Sequence, residues 1–138
     1  MRVDWSKQVV FITGASSGIG RALAVELGGR GASVGLLARR GDVLQEIVAE
    51  VEAAGGRALA LAADVRDAGA VSRAAEELRK AFGPIDVLVA NAGVGVTSDA
   101  KDLKPEAVAD VININVLGAV NSATAVLPSM VERSQGQL

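Results

Sequence analysis

The chain has 138 residues and a formal net charge of −2, with 14 Lys plus Arg against 16 Asp plus Glu. One domain of this length buries roughly 70% of its unfolded surface, which excludes a mini-protein dependent on staples. Cys, His and Tyr are all absent, so disulfides, thiolate nucleophiles, zinc hydrolase chemistry and Ser-His catalysis fall away and no metal site is expected.

No basic run or set of interleaved aromatics offers nucleic acid a footprint. The apolar stretches read as too short and too interrupted to span a bilayer, and Met1 to Trp5 lacks a signal-peptide core, so a soluble cytoplasmic protein without a membrane partner is expected. Hydrophobic residues form 50% of the sequence but aromatics only 2%, so the core must be built from Ala, Val, Leu and Ile. Such a core suits buried parallel strands packed against small-residue helices.

In chain order, Gln8 to Thr13 is a short β-rich run with an apolar middle, predicting a strand buried on both faces. A Gly-rich stretch follows, then a helix from Ile19 to Arg30 with Ile19, Leu23 and Leu27 at helical spacing and Gly28, Gly29 and Gly31 as stop signals. Ser33 to Ala38 is a second buried strand, and Val43, Leu44, Ile47, Val48 and Val51 give a helical stripe that stops at Gly55-Gly56. Arg57 to Ala62 is a third strand, followed by a helix capped by Asp67, carrying Val71, Ala74, Ala75, Leu78 and Phe82 and ended by Gly83-Pro84. Ile85 to Ala90 is a fourth strand. Beyond a loop rich in Gly, Asn and Ser, Pro105 opens a helix running to about Glu132, with a break expected near Asn113 to Asn115. Strands alternating with helices imply a doubly wound parallel sheet in a single domain, 1–138. Ser134 to Leu138 looks like a turn into a further strand, and a sheet ending there leaves the fourth strand as an edge.

The segment Thr13-Gly14-Ala15-Ser16-Ser17-Gly18-Ile19-Gly20 lies between a predicted strand and a predicted helix, where a phosphate-binding turn has to be. Glycines there permit tight turning and close ligand approach, and the helix start offers unpaired N–H groups and a positive dipole end to a pyrophosphate. The glycine spacing differs from G-x-G-x-x-G, and no Lys-Ser or Lys-Thr follows to make a Walker A loop.

This turn, together with Asn91-Ala92-Gly93 after the fourth strand, Asp64-Val65 after the third and Asn115 in the long helix, resembles the short-chain dehydrogenase/reductase family over nearly the whole chain. The resemblance implies a Rossmann-like sheet ordered 3-2-1-4, here truncated after the fourth strand and long helix. It also implies that the turn, with Gly14, Ser16, Ser17, Gly18, Ile19 and Gly20, wraps the pyrophosphate and adenosine ribose. By the same resemblance Asp64 and Val65 hold the adenine, and Asn91, Ala92 and Gly93 line the nicotinamide side. Asn91 is equally able to cap a turn through its own backbone. Asn115 matches the family's supporting asparagine in catalysis, and its alternative is a helix-interior Asn bonded locally or across to backbone.

A site for NAD carries an Asp or Glu about 20 residues past the glycine turn to accept the ribose 2′-OH, whereas a 2′-phosphate calls for Arg. The chain reads Ala38-Arg39-Arg40 there, so NADP(H) is expected over NAD(H), with Arg39 and Arg40 as cofactor-binding residues. Asp42, just beyond, is a candidate partner for either arginine. The family's catalytic Ser and Tyr-x-x-x-Lys have no counterpart in this chain. Lys101, Lys104, Asp99 and Asp102 read as a solvated surface, and Thr97 and Ser98 have no base beside them.

Three functions fit these residues. In the first the chain is the cofactor-binding half of an NADP-dependent oxidoreductase that moves hydride between nicotinamide and a carbonyl or alcohol. In the second it is a nucleotide-binding module without catalysis of its own. In the third a second polypeptide completes the site. The apolar breadth of the long helix, from Val111 and Ile112 through Val116, Leu117 and Val120 to Leu127, predicts self-association under any of them.

Overall fold

Every residue of β1 (Val9–Thr13) and β2 (Ser33–Ala38) is buried, which is what parallel strands covered on both faces require. The computed structural model describes residues 3–138. In it, these strands join β3 (Arg57–Ala62) and β4 (Val87–Val89) in one parallel sheet of order β3-β2-β1-β4. Val10 pairs with Val34 on one side and with Val87 on the other, so β1 lies at the centre.

Alternation along the strands divides the core in two. Val10, Ile12, Val34 and Leu36 face one layer, where α1 (Gly18–Gly29) contributes Ala24 and Leu27 and α2 (Gly41–Ala53) contributes Leu44, Ile47 and Val51. Phe11, Leu37, Leu61 and Leu88 face the other, against Val71, Ala75 and Leu78 of α3 (Ala68–Phe82) and Val126 and Met130 of α5 (Gly118–Glu132). Asp67 caps α3, its carboxylate accepting from the Ala70 amide.

Five details depart from the pattern-based expectation. Ile19, counted in the apolar stripe of α1, is 77% exposed; the buried face is Gly20, Ala24, Leu27 and Gly28, with Gly20 pressed against the Gly14 carbonyl and Gly28 against Val51 of α2, where a side chain would not fit. β4 has three residues rather than six. Its expected first residues are held partly by side chains, since the Ile85 carbonyl accepts from Arg133 and the Asp86 carboxylate accepts from the Val9 amide. The long helix widens without breaking: α4 (Pro105–Ile112) passes through a π-helical turn at Asn113–Leu117 into α5. As one helix of 28 residues it is long and apolar enough, by length and composition, to cross a membrane, contrary to the expectation that no stretch reaches that length. Beyond it, Gln137 forms a parallel bridge with Val87, so β4 is paired at this point on its outer side.

Candidate functional site

A cleft of about 640 Å³ opens where β1, β2, β3 and β4 end, lined by the segments that follow all four strands. This is the crevice at the carboxyl ends of an open parallel sheet, on either side of the point where strand order reverses between β1 and β4. Gly14, Ser16, Ser17, Ile19, Arg39, Arg40, Asp64, Val65, Asn91, Ala92 and Gly93 all line it. Gly18 and Gly20 belong to the same turn as the first residues of α1.

Sterics explain the turn. Gly14 has φ +65°, and a Cβ on it would lie 2.7 Å from the Ala92 Cα, so neither the backbone angle nor the space admits a side chain. A Cβ on Gly20 would meet the Gly14 carbonyl and the Asn91 amide nitrogen. The turn and the Asn91 segment are therefore locked together, and hydrogen bonds complete the lock. Asn91 Nδ2 donates to the carbonyls of Thr13 and Gly14, each at 3.1 Å, and the buried Thr13 hydroxyl accepts from the Ala92 amide at 3.1 Å. Asn91 lines the cleft, and its side chain does not cap a turn of its own segment but reaches across to β1. Ser17, at the N-cap of α1, makes no side-chain cap bond, which leaves the first amides of a twelve-residue helix available to an anion.

The cationic end of the cleft lies after β2. Arg39 and Arg40 are exposed, and among the described residues neither forms an ion pair with Asp42 or any other acid. Arg40 Nη2 approaches the Ser16 hydroxyl at 3.4 Å. Facing them after β3, Asp64 receives a fork from Arg66, with Nη2 2.7 Å from Oδ2 and Nε 3.1 Å from both oxygens, and accepts the Arg66 amide at 2.9 Å. The Arg66 guanidinium holds the Asp64 carboxyl below the usual carboxylate range, and the charge of Arg39 adds to the effect.

Asn115 lies in the π-helical turn. Its Oδ1 accepts from the Val94 amide at 2.7 Å and its Nδ2 donates to the Val94 carbonyl at 2.9 Å, so it bonds across to backbone and pins the loop that follows Gly93. Two residues that build this site, Arg66 and Asn121, belong to no motif read from the sequence, and Thr13, quoted within the glycine segment, had no role of its own there. An asparagine in mid-helix was a signal for Asn121, because such a residue is a poor helix former. Its partner, the Val65 carbonyl, was not readable from the sequence.

The donor set fits a dinucleotide phosphate. An uncapped helix start meets a cradle from which two side chains are sterically excluded, and two guanidinium groups without an ion-pair partner among the described residues stand a strand away.

Residues 8–138 match the sequence profile of the family described as short chain dehydrogenase. An uncharacterized oxidoreductase of Myxococcus xanthus is 43% identical over 98% of this chain and 53% of its own length. A metagenomic short-chain oxidoreductase solved in complex with NADP superposes with a TM-score of 0.89 at 37% identity, covering 97% of this chain and 61% of the other. An NAD+-bound xylitol dehydrogenase gives a TM-score of 0.88 at 31% identity over 97% of this chain and 52% of that one. The chain spans about half the length of the curated relatives it matches.

Proposed function

We propose, from the premise that this chain belongs to the short-chain dehydrogenase family, that it binds NADP(H) in preference to NAD(H) for an oxidoreductase acting on a carbonyl or alcohol. When bound, the nicotinamide supplies or takes up the hydride. The chain's own residues bind and orient. The glycine turn and the start of α1 hold the pyrophosphate, Asp64 and Val65 hold the adenine, and the Asn91 to Gly93 segment, fixed to β1 and backed by Asn115 through Val94, forms the nicotinamide wall.

One observation carries the choice of NADP(H): Arg39 and Arg40 follow β2 at the rim of the cleft, without an ion-pair partner among the described residues and with no carboxylate at that position. A guanidinium pairs with a 2′-phosphate through two parallel hydrogen bonds, whereas a ribose 2′-OH gives it little to hold. Solved relatives hold either cofactor, so the arginines rather than the family support the choice.

A second function keeps the site but not the chemistry. The 138 residues contain no Tyr, His or Cys, so no side chain lining the cleft is a ready proton donor near neutral pH, which favours a nucleotide-binding module when this chain acts alone. Under either function, the exposed apolar residues of the long helix serve as a self-association surface.

Titration of the chain with NADPH and with NADH, at two salt concentrations, tests the proposal. Saturable binding that favours NADPH and weakens with salt is expected. Equal affinity would remove the arginine assignment, and no binding of either would sink the dinucleotide site. Oxidation of bound NADPH by ketone and aldehyde substrates separates the oxidoreductase from the module.

A further inference from the structure

The wall formed by Asp64 and Val65 is held from outside its own loop. The Val65 side chain is buried and packs where α5 begins: a Cβ on Gly118 would lie 2.7 Å from Val65 Cγ2, so only glycine admits this approach. The Val65 carbonyl accepts from Asn121 Nδ2 at 2.8 Å, across 56 residues of sequence. The next residue, Arg66, forks onto Asp64 and also stands 3.5 Å from the Asp110 carboxylate on α4. On the opposite wall, the same helix holds Val94 through Asn115. One long helix therefore grips both sides of the cleft, with an asparagine on each.

From this geometry we propose that Asn121 is a positioning residue for adenine recognition. It fixes the Val65 backbone and so sets where the Asp64 carboxylate and the Val65 amide stand toward the base. The inference rests on the dinucleotide site proposed above. Adenine offers an amino donor at C6 and an acceptor at N1, while hypoxanthine offers a carbonyl and an N–H at the same places. A correctly placed carboxylate beside a backbone donor distinguishes the two, and a displaced pair does not. Asn is a poorer helix former than Ala, so its position on α5 is not explained by the helix itself.

The test compares NADPH with its hypoxanthine analogue, deamino-NADPH, on the 138-residue chain and on the variants Asn121→Ala and Asn121→Asp. The first improves helix propensity and the second keeps the side-chain shape while removing the donor, so the pair guards against misfolding, which far-UV circular dichroism monitors. The original chain is expected to prefer NADPH on the order of tenfold, the effect of one or two well-placed hydrogen bonds. In both variants that ratio falls toward one, while the preference for NADPH over NADH, set at Arg39 and Arg40, is retained. A ratio unchanged in the folded variants, or an equal loss of both nucleotides, would show a merely structural role and overturn the inference with the cofactor site intact. Binding of NADPH by the original chain without discrimination against the analogue would overturn it as well. If the original chain binds neither nucleotide, the dinucleotide site itself fails and this inference fails with it.

Discussion

Asn91 reaches back 77 residues to donate its side-chain amide to the carbonyl of Gly14, at 3.1 Å. The same nitrogen lies 3.1 Å from the Thr13 carbonyl, so one amide joins the ends of β1 and β4 where the strand order reverses. The glycine turn and the Asn91 to Gly93 segment are consequently one rigid unit. A ligand in the cleft meets a surface already shaped by the sheet.

Replacing that amide tests the rigidity. Asn91→Asp puts a carboxylate oxygen against two carbonyl oxygens and removes both donated bonds, so it is expected to lower stability by about 2 kcal/mol or more. Urea midpoints of the two proteins measure this, and NADPH affinity is expected to fall with it. A midpoint within error of the original would show that sterics at Gly14 and Gly20 hold the turn without Asn91.

The pair of Asp64 and Arg66 predicts a pH dependence with a definite sign. The Asp64 carboxyl is held below its ordinary value by the Arg66 guanidinium, so the folded protein binds this proton less readily than the unfolded chain. Its contribution to stability is therefore fully present above the ordinary aspartate range near 4 and is lost as pH falls through the lowered value. Denaturation of the original chain and of Asp64→Asn should differ at pH 7 and converge as pH falls below the ordinary aspartate range. A difference that stays constant over this range would rule out the ion pair as its source.

The exposed face of the long helix predicts association. Ile112, Val116, Leu117 and Val120 are each about half exposed on one helix, a cluster of a kind that monomeric surfaces avoid. Gel filtration with light scattering should show dimers or larger species, and the double variant Val116→Lys with Val120→Lys should shift them toward monomer. A monomer at high concentration in the original chain would remove the prediction.

Much of the fold was legible because its signals are local. The spans of β2 and β3 coincide with their apolar runs, and the cap at Asp67 and the stop at Gly83 fall where side-chain chemistry puts them. Strand and helix periods depend on neighbours two to four residues away, and a chain reports those directly. The glycine turn was legible for the same reason, being fixed by its place between a strand and a helix.

What only the tertiary structure decided involves partners far apart in the chain. Ile19 fits a helical apolar stripe, yet it is exposed at the rim of the cleft because Gly20 and Ala24 form the face that packs. Asn115 and Asn121 have the same composition and the same helix, and nothing local separates their tasks. Their partners, Val94 and Val65, follow different strands. The sequence by itself determined the alternation of elements, the glycine turn and the arginines after β2, since each rests on adjacent residues. The widening of the long helix and its hold on both walls of the cleft arose only on folding, because a hydrogen bond across 56 residues is chosen by packing and leaves no periodic trace in the chain.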